Sequence, residues 1–196
     1  ILLKREVDLA TILQDLDTYP SGNKETLSGT SKWSDFTNSE PIQDIYTAKK
    51  AVFDKIGVDP NLIIMPKGVF DDIRFHPKLS TFEPQSAQWI PATEETLKAR
   101  FGMDNIVIAK SKKLKESDNT FEQLWSNTII LLYVNLNPTP SQEDMSFGYC
   151  FREQKYPFVD DKDIEPGKVI GIRSNDKRND CILAPEAGYL FTGVIS

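Results

Sequence analysis

The sequence is poor in the residues that most reaction centres need. It has one histidine and two cysteines in 196 residues. A lone imidazole, His76, with no second His or Cys at ligand spacing, makes a poor transition-metal site, so neither a metal nor a cofactor is expected. Cys150 and Cys181 fit neither a disulfide framework nor the short paired spacings of a zinc site, and both read as free thiols in a reducing cytoplasm. No P-loop, no G-x-G-x-x-G and no G-x-S-x-G elbow occurs. The longest apolar run, Thr128 to Val134, is far short of the roughly 20 residues of a membrane span, and no signal-peptide layout opens the chain. An excess of basic residues is also lacking. The formal net charge is -6, so the field of the whole molecule repels phosphate backbones and specific nucleic-acid recognition is not expected. An initiator Met is absent, and the opening at Ile1 inside a helical pattern reads as a cut through a longer chain.

What is present is an ordinary globular pattern. Apolar residues recur at helical spacing from Ile1 to Leu16. Pro20 and Gly22 stop that helix, and "KETLSGTSKWSD" has no sustained period and reads as loop or short strand. Glu40 to Ile56 is a second helix, with Pro41 in its first turn, a stripe of Ile42, Ile45, Ala48, Val52, Phe53 and Ile56, and Gly57 closing it. Leu62 to Met65 reads as a strand buried on both faces, and Lys67 to Phe75 as a helix ended by His76-Pro77. Leu79 to Pro91 is an irregular connection, after which Thr93 caps a short helix that Gly102 ends. Ile106 to Ala109 and Thr128 to Asn135 read as buried strands, separated by a lysine-rich loop or hairpin end, "KSKKLKESDN". Beyond the linker-like "NPTPSQED", the segments 146–153, 169–173, 181–184 and 189–195 form a β-rich tail with turns at Glu165-Pro166-Gly167 and Ser174-Asn175-Asp176.

The chemistry-bearing residues read mostly as structural. His76 sits where a histidine's partial charge complements a helix C-terminus. The acidic pairs Asp71-Asp72 and Glu94-Glu95 diverge by about 100 degrees on a helix and suit solvated faces, as does Asp160-Asp161. Cys150, among the aromatics of "SFGYCFRE", reads as a strand residue. Trp33, Trp89 and Trp125 lie in loops or at element edges, where tryptophan anchors a loop, meets another subunit or stacks a ligand.

The order of these pieces is more telling than any one of them. The run "REVDLATILQDLDTYPSGNKETLSGTSKWSD" into "PIQDIYTAKKAVFDKIGVDPNLIIMPKGVFDDIRFHPKL", followed by "ATEETLKARFGMDNIVIAKS", "WSNTIILLYV", "SFGYCFR" and "AGYLFTGVI", resembles the major capsid proteins of tailed phages and prophages, which share the Hong Kong 97 capsid fold. The resemblance spans essentially the whole chain and contains no catalytic signature.

The resemblance implies an α+β fold in four parts: the end of a spine helix (1–17), a joint (18–40), a mixed α/β axial domain (41–135) and a β-rich return to the peripheral domain (136–196). It lacks the N-terminal arm, the extended loop and most of the spine helix that such proteins carry. The implied role is a non-enzymatic head subunit that assembles with itself into pentamers and hexamers, with scaffold or portal proteins as further partners. Its place is the virion capsid, and the bacterial cytoplasm during assembly. Candidate subunit contacts are Trp89, Lys112, Lys113, Lys115 and Trp125, in the aperiodic segments Leu79–Pro91 and Ser111–Asn127, and Trp33 is the candidate joint anchor. Two other classes stand beside it. A metal-dependent or other hydrolase would need Asp71, Asp72, His76 and Glu94 to converge in one pocket. A carbohydrate- or peptide-binding module would need at least two tryptophans exposed along one groove.

Overall fold

The computed structural model describes residues 2–84, 88–115, 119–139, 144–155, 158–165 and 169–196. Positions 85–87 and 116–118 of the two aperiodic segments, 140–143 of the expected linker and 166–167 of the expected turn lie outside them.

Helix α1 spans Leu2–Leu13, short of the expected Leu16. Asp15 leaves helical geometry, and its carboxylate accepts the Asp17 amide to start a 3-10 turn, Leu16–Thr18. Strand β1 is Lys24–Thr26. Helix α2, Pro41–Ile56, follows its expected bounds and is closed by Gly57 in left-handed geometry. Phe53 departs from the expected buried stripe: it is exposed, and only Pro41, Ile45, Ala48 and Val52 of that helix are fully buried. Strand β2 (Leu62–Pro66), helix α3 (Lys67–Ile73), strands β3 (Thr81–Glu83) and β4 (Gln88–Ile90), helix α4 (Glu94–Phe101) and strand β5 (Asn105–Ala109) follow. Strands β6 (Lys112–Lys115), β7 (Thr120–Gln123) and β8 (Thr128–Leu132) complete this part. The tail carries β9 (Gly148–Arg152), β10 (Phe158–Glu165), β11 (Val169–Asn175), β12 (Arg178–Ile182) and β13 (Gly188–Thr192).

The chain divides into two compact units, residues 1–147 with 184–196, and residues 148–183. The smaller unit holds two antiparallel pairs, β9 with β12 and β10 with β11. Strand β10 escapes the sequence pattern because its run of acidic residues hides the strand behind charge.

The larger unit is built on a five-stranded sheet in the order β1-β13-β8-β2-β5. Strand β13, from the end of the chain, runs antiparallel to β8 and parallel to β1. On one face Ile63, Met65, Ile106, Ile129, Leu131 and Phe191 meet Ile45 and Val52 of α2, Val69 and Ile73 of α3 and Leu97 of α4 in a single core. Alternation places Ile130, Leu132 and Leu190 on the opposite face, where they are also buried. There Tyr19 and Phe147 stack, with ring centroids 5.8 Å apart. Two expectations change at the β5 side. Leu62 and Ile64 are only half-buried, and β5 is an edge strand with Val107 exposed, because among the described residues no helix covers that part of the second face as helices cover the first.

Gly188 is where the rings come closest. A Cβ there would meet Phe147 Cε2 at 2.5 Å and Tyr19 Cε1 at 2.9 Å. Gly188→Ala is therefore expected to lower stability by about 1–3 kcal/mol through overpacking. Urea unfolding would check it, since an unchanged midpoint would mean that the two rings yield freely.

Candidate functional site

The segment "TLSGTSKWSD" is held by hydrogen bonds as much as by packing. Leu27 N–H donates to Thr192 O at 2.9 Å and Trp33 N–H to Val194 O at 2.7 Å, so the segment zips onto residues 192–194. The fully buried Trp33 indole packs against Phe101 and Phe191, and its Nε1–H donates to Asp44 Oδ2 at 2.7 Å. Burial raises the Asp44 carboxyl above the usual range, and the indole hydrogen bond works against that rise. Nearby, burial and the Glu25 carboxylate push the Tyr189 phenol up to about 12.

Helix α1 has its own tether. The Gln14 side chain donates to Leu124 O, and its Oε1 accepts from the Ser126 amide and hydroxyl, each at 2.6 Å. Trp125, 6% exposed, points its indole N–H toward Glu6 Oε1 at 3.5 Å. It therefore supports α1 from inside the chain and offers no edge to a neighbour, which corrects its place among the contact candidates.

His76 is fully buried, and its hydrogen bonds define its state. Lys78 N–H donates to Nδ1 at 3.1 Å, so Nδ1 carries the lone pair. The Ser39 hydroxyl donates to Asp35 O at 2.7 Å, so at 3.1 Å from Nε2 it accepts the Nε2 proton. The contact looks like a nucleophile and its base but runs the wrong way, since the imidazole is the donor. Desolvation, with the Lys78 ammonium, lowers the His76 pKa, against the weaker pull of Glu40 and Asp35. His76, at the end of α3, is thus a neutral imidazole that ties that helix end to Ser39.

The hydrolase constellation does not assemble. Asp71 is held by Lys67 at 2.5 Å on the surface of α3, and Asp72 and Glu94 are exposed. A cavity of about 320 Å³ is lined by Asn61, Leu62, Asn105, Val107, Val134 and Leu136 among others, and by none of the four. Among the described residues no group of three His, Cys, Asp or Glu could hold a metal ion. The tryptophan-groove reading fails as well, because Trp33 and Trp125 are buried.

The exposed candidates sit on two hairpins, the first expected as an irregular connection and the second as a loop or hairpin end. In β3–β4, Phe82 and Trp89 face each other across the strands with ring centroids 5.3 Å apart, and Trp89 is 58% exposed. In β6–β7, Leu114 pairs with Phe121, which is 71% exposed, and Lys113 bridges Glu122 at 2.9 Å. Lys112 and Lys115 lie exposed on the same hairpin. Short strands without alternation hid the first hairpin and left the second as one of two readings. The usable signal was Phe82/Trp89 and Leu114/Phe121 at pairing distance across turn-forming residues.

Comparison with known proteins leads to phage major capsid proteins. The chain is 32% identical over 197 residues, covering 99% of its length, to the major capsid protein of Burkholderia phage BcepMu. A 79-residue stretch, 40% of the chain, is 35% identical to the major capsid protein of Pseudomonas phage JBD67. The chain spans 63% of the length of the first relative and 24% of the second. The crystal structure of a phage-related protein from Bordetella bronchiseptica RB50 superposes with a TM-score of 0.84 at 28% identity, over 98% of this chain and 62% of that one. No protein-family model matches the sequence. These relatives bear out the resemblance to phage major capsid proteins and the α+β capsid-type fold.

Two substitutions test this geometry. Trp33→Phe keeps the ring and removes the donor to a part-buried carboxylate, and is expected to cost about 1–2 kcal/mol in chemical unfolding. Because the folded-state pKa of His76 lies below its unfolded value, its contribution is present above about pH 6.5 and is lost as the pH falls below that. Unfolding midpoints measured from about pH 7.5 to 5.5 should fall in the natural chain and flatten in His76→Gln. Equal slopes would show that another group carries the dependence.

Proposed function

We propose, from the homology of this chain to phage major capsid proteins, that it forms part of a structural subunit of a bacteriophage or prophage icosahedral head. Copies assemble into capsomers that enclose double-stranded DNA, and the subunit works through repeated contacts, without a catalytic step. The observation that carries this reading is identity of 32% sustained over 99% of the chain with one such protein. The hydrolase alternative has no comparable support, since its four residues do not converge.

By the same homology we assign 1–17 as the end of a spine helix, 18–40 as the joint pinned by Trp33, 41–135 as the axial domain and 136–196 as the β-rich return. Trp89, Lys112, Lys113 and Lys115 are the contact residues, on hairpins that leave large apolar side chains uncovered. A two-stranded hairpin is marginal by itself, so covering Phe82, Trp89, Leu114 and Phe121 would stabilise both partners. Heterologous contacts of this kind close into rings when the rotation fits, as the pentamers and hexamers of a shell require. The net charge of -6 suits a wall that must not hold packaged DNA by its phosphates. Assembly takes place in the bacterial cytoplasm, with scaffold or portal proteins as further partners.

The test is negative-stain electron microscopy of the full-length parent protein, expressed alone and with a Trp89→Ala, Lys112→Glu double variant beside it. The natural protein should give shells or capsomer rings, and the variant should stay small while keeping its circular dichroism. Discrete small particles from the natural protein, with or without its scaffold, would contradict the reading.

A further inference from the structure

Strand β5 ends the five-stranded sheet, and among the described residues no strand pairs with its outer side. It is bare in the way that protein edges usually are not. Val107 is 48% exposed in its middle, and Leu136, 69% exposed, lines the cavity beside it. An uncovered apolar edge strand is a template for another strand.

The backbone defines which groups are on offer. Asn105 N–H donates to Asn61 O at 3.0 Å, and the parallel register pairs Leu62 with Asn105 and Ile64 with Val107. Asn105, Val107 and Ala109 therefore turn their amides and carbonyls toward β2. By alternation Ile106 and Ile108 turn theirs outward.

The side chains at the strand ends select the partner. The sequence reads Asp104-Asn-Ile-Val-Ile-Ala-Lys110, with an exposed carboxylate at one end and an exposed ammonium at the other, equidistant from Val107. We propose that β5 pairs antiparallel with β5 of a second copy of this chain, centred on Val107. In that register Ile106 opposes Ile108 of the second copy, so outward-facing groups meet outward-facing groups. Asp104 meets Lys110 twice, once at each end of the ladder. Val107 meets its own counterpart on the two-fold axis, on the face that the helices leave open. A parallel pairing would put like charges side by side and lacks this symmetry.

The contact is isologous, whereas the hairpin contacts of the proposed capsomer are heterologous. It goes beyond the capsid reading and does not depend on it. A shell would use such a contact at its two-fold positions, and a free chain would use it to form a ten-stranded sheet.

Disulfide trapping tests it on the full 196-residue chain carrying Cys150→Ser and Cys181→Ser. Opposed residues at a non-hydrogen-bonded antiparallel site have Cα atoms about 4.5 Å apart, within disulfide range. Val107→Cys should cross-link to a dimer under mild oxidation, much faster than Thr47→Cys on the exposed face of α2. Adding Lys110→Asp should slow the trapping by about tenfold, since two ion pairs become repulsions. Adding Asp104→Lys to that variant should restore the rate. A Val107→Cys rate no greater than the Thr47→Cys rate, or one indifferent to these charge changes, overturns the pairing. Shells from the parent protein without a Val107 cross-link would overturn the pairing alone and leave the capsid reading in place.

Discussion

The insertion of β13 between β1 and β8 is the contact on which the larger unit depends. Five residues near the end of the chain pair on one side with Thr128–Leu132 and on the other with Lys24–Thr26. Asn23, fully buried, holds the entry to that strand by donating from Nδ2 to Glu186 O and Gly188 O, while its own carbonyl accepts from Leu190 N–H. Without β13 the sheet loses Phe191, Leu27 loses its backbone partner at Thr192, and Trp33 loses one of its two aromatic neighbours. The topology makes the fold dependent on contacts more than 160 positions apart, which sets an entropic cost on its formation and delays it until β13 is available.

That arrangement separates a rigid part from a displayed part. Every residue of β8 is buried, and Gly188 to Phe191 of β13 are too. The hairpins β3–β4 and β6–β7 project from this frame with aromatic and aliphatic side chains uncovered, and the β5 edge is left bare with opposite charges at its ends. The single histidine is buried as a neutral strut, and the exposed aromatic residues Phe82, Trp89 and Phe121 lie on the hairpins.

Much of this was legible in the sequence where one physical signal dominated. The bounds of α2 follow from Pro41 and Gly57, the cap of α4 from Thr93, and β8 from its unbroken apolar run. The β3–β4 hairpin was not legible and β6–β7 only as one of two readings, loop or hairpin end, because three- and four-residue strands give too few alternations. The exposure of Val107 and Phe53 was hidden for a different reason: both sit in apolar patterns that a monomer would bury, and a pattern cannot say whether the covering surface lies in the same chain. Trp125 misled in the opposite direction, since its loop position suggested a surface while the tether of α1 through Gln14 and Glu6 draws it inside. The neutral state of His76 was not legible, because it depends on Ser39 and Asp35, brought close only by folding.

Hydrogen exchange compared between the free chain and assembled particles of the parent protein tests the division between frame and displayed surface most directly. The account predicts that amides of β8 and β13 exchange slowly in both states, while β3–β4 and β6–β7 gain protection only on assembly. Hairpins that exchange equally fast in both states, or a β13 that opens as readily as they do, would contradict it.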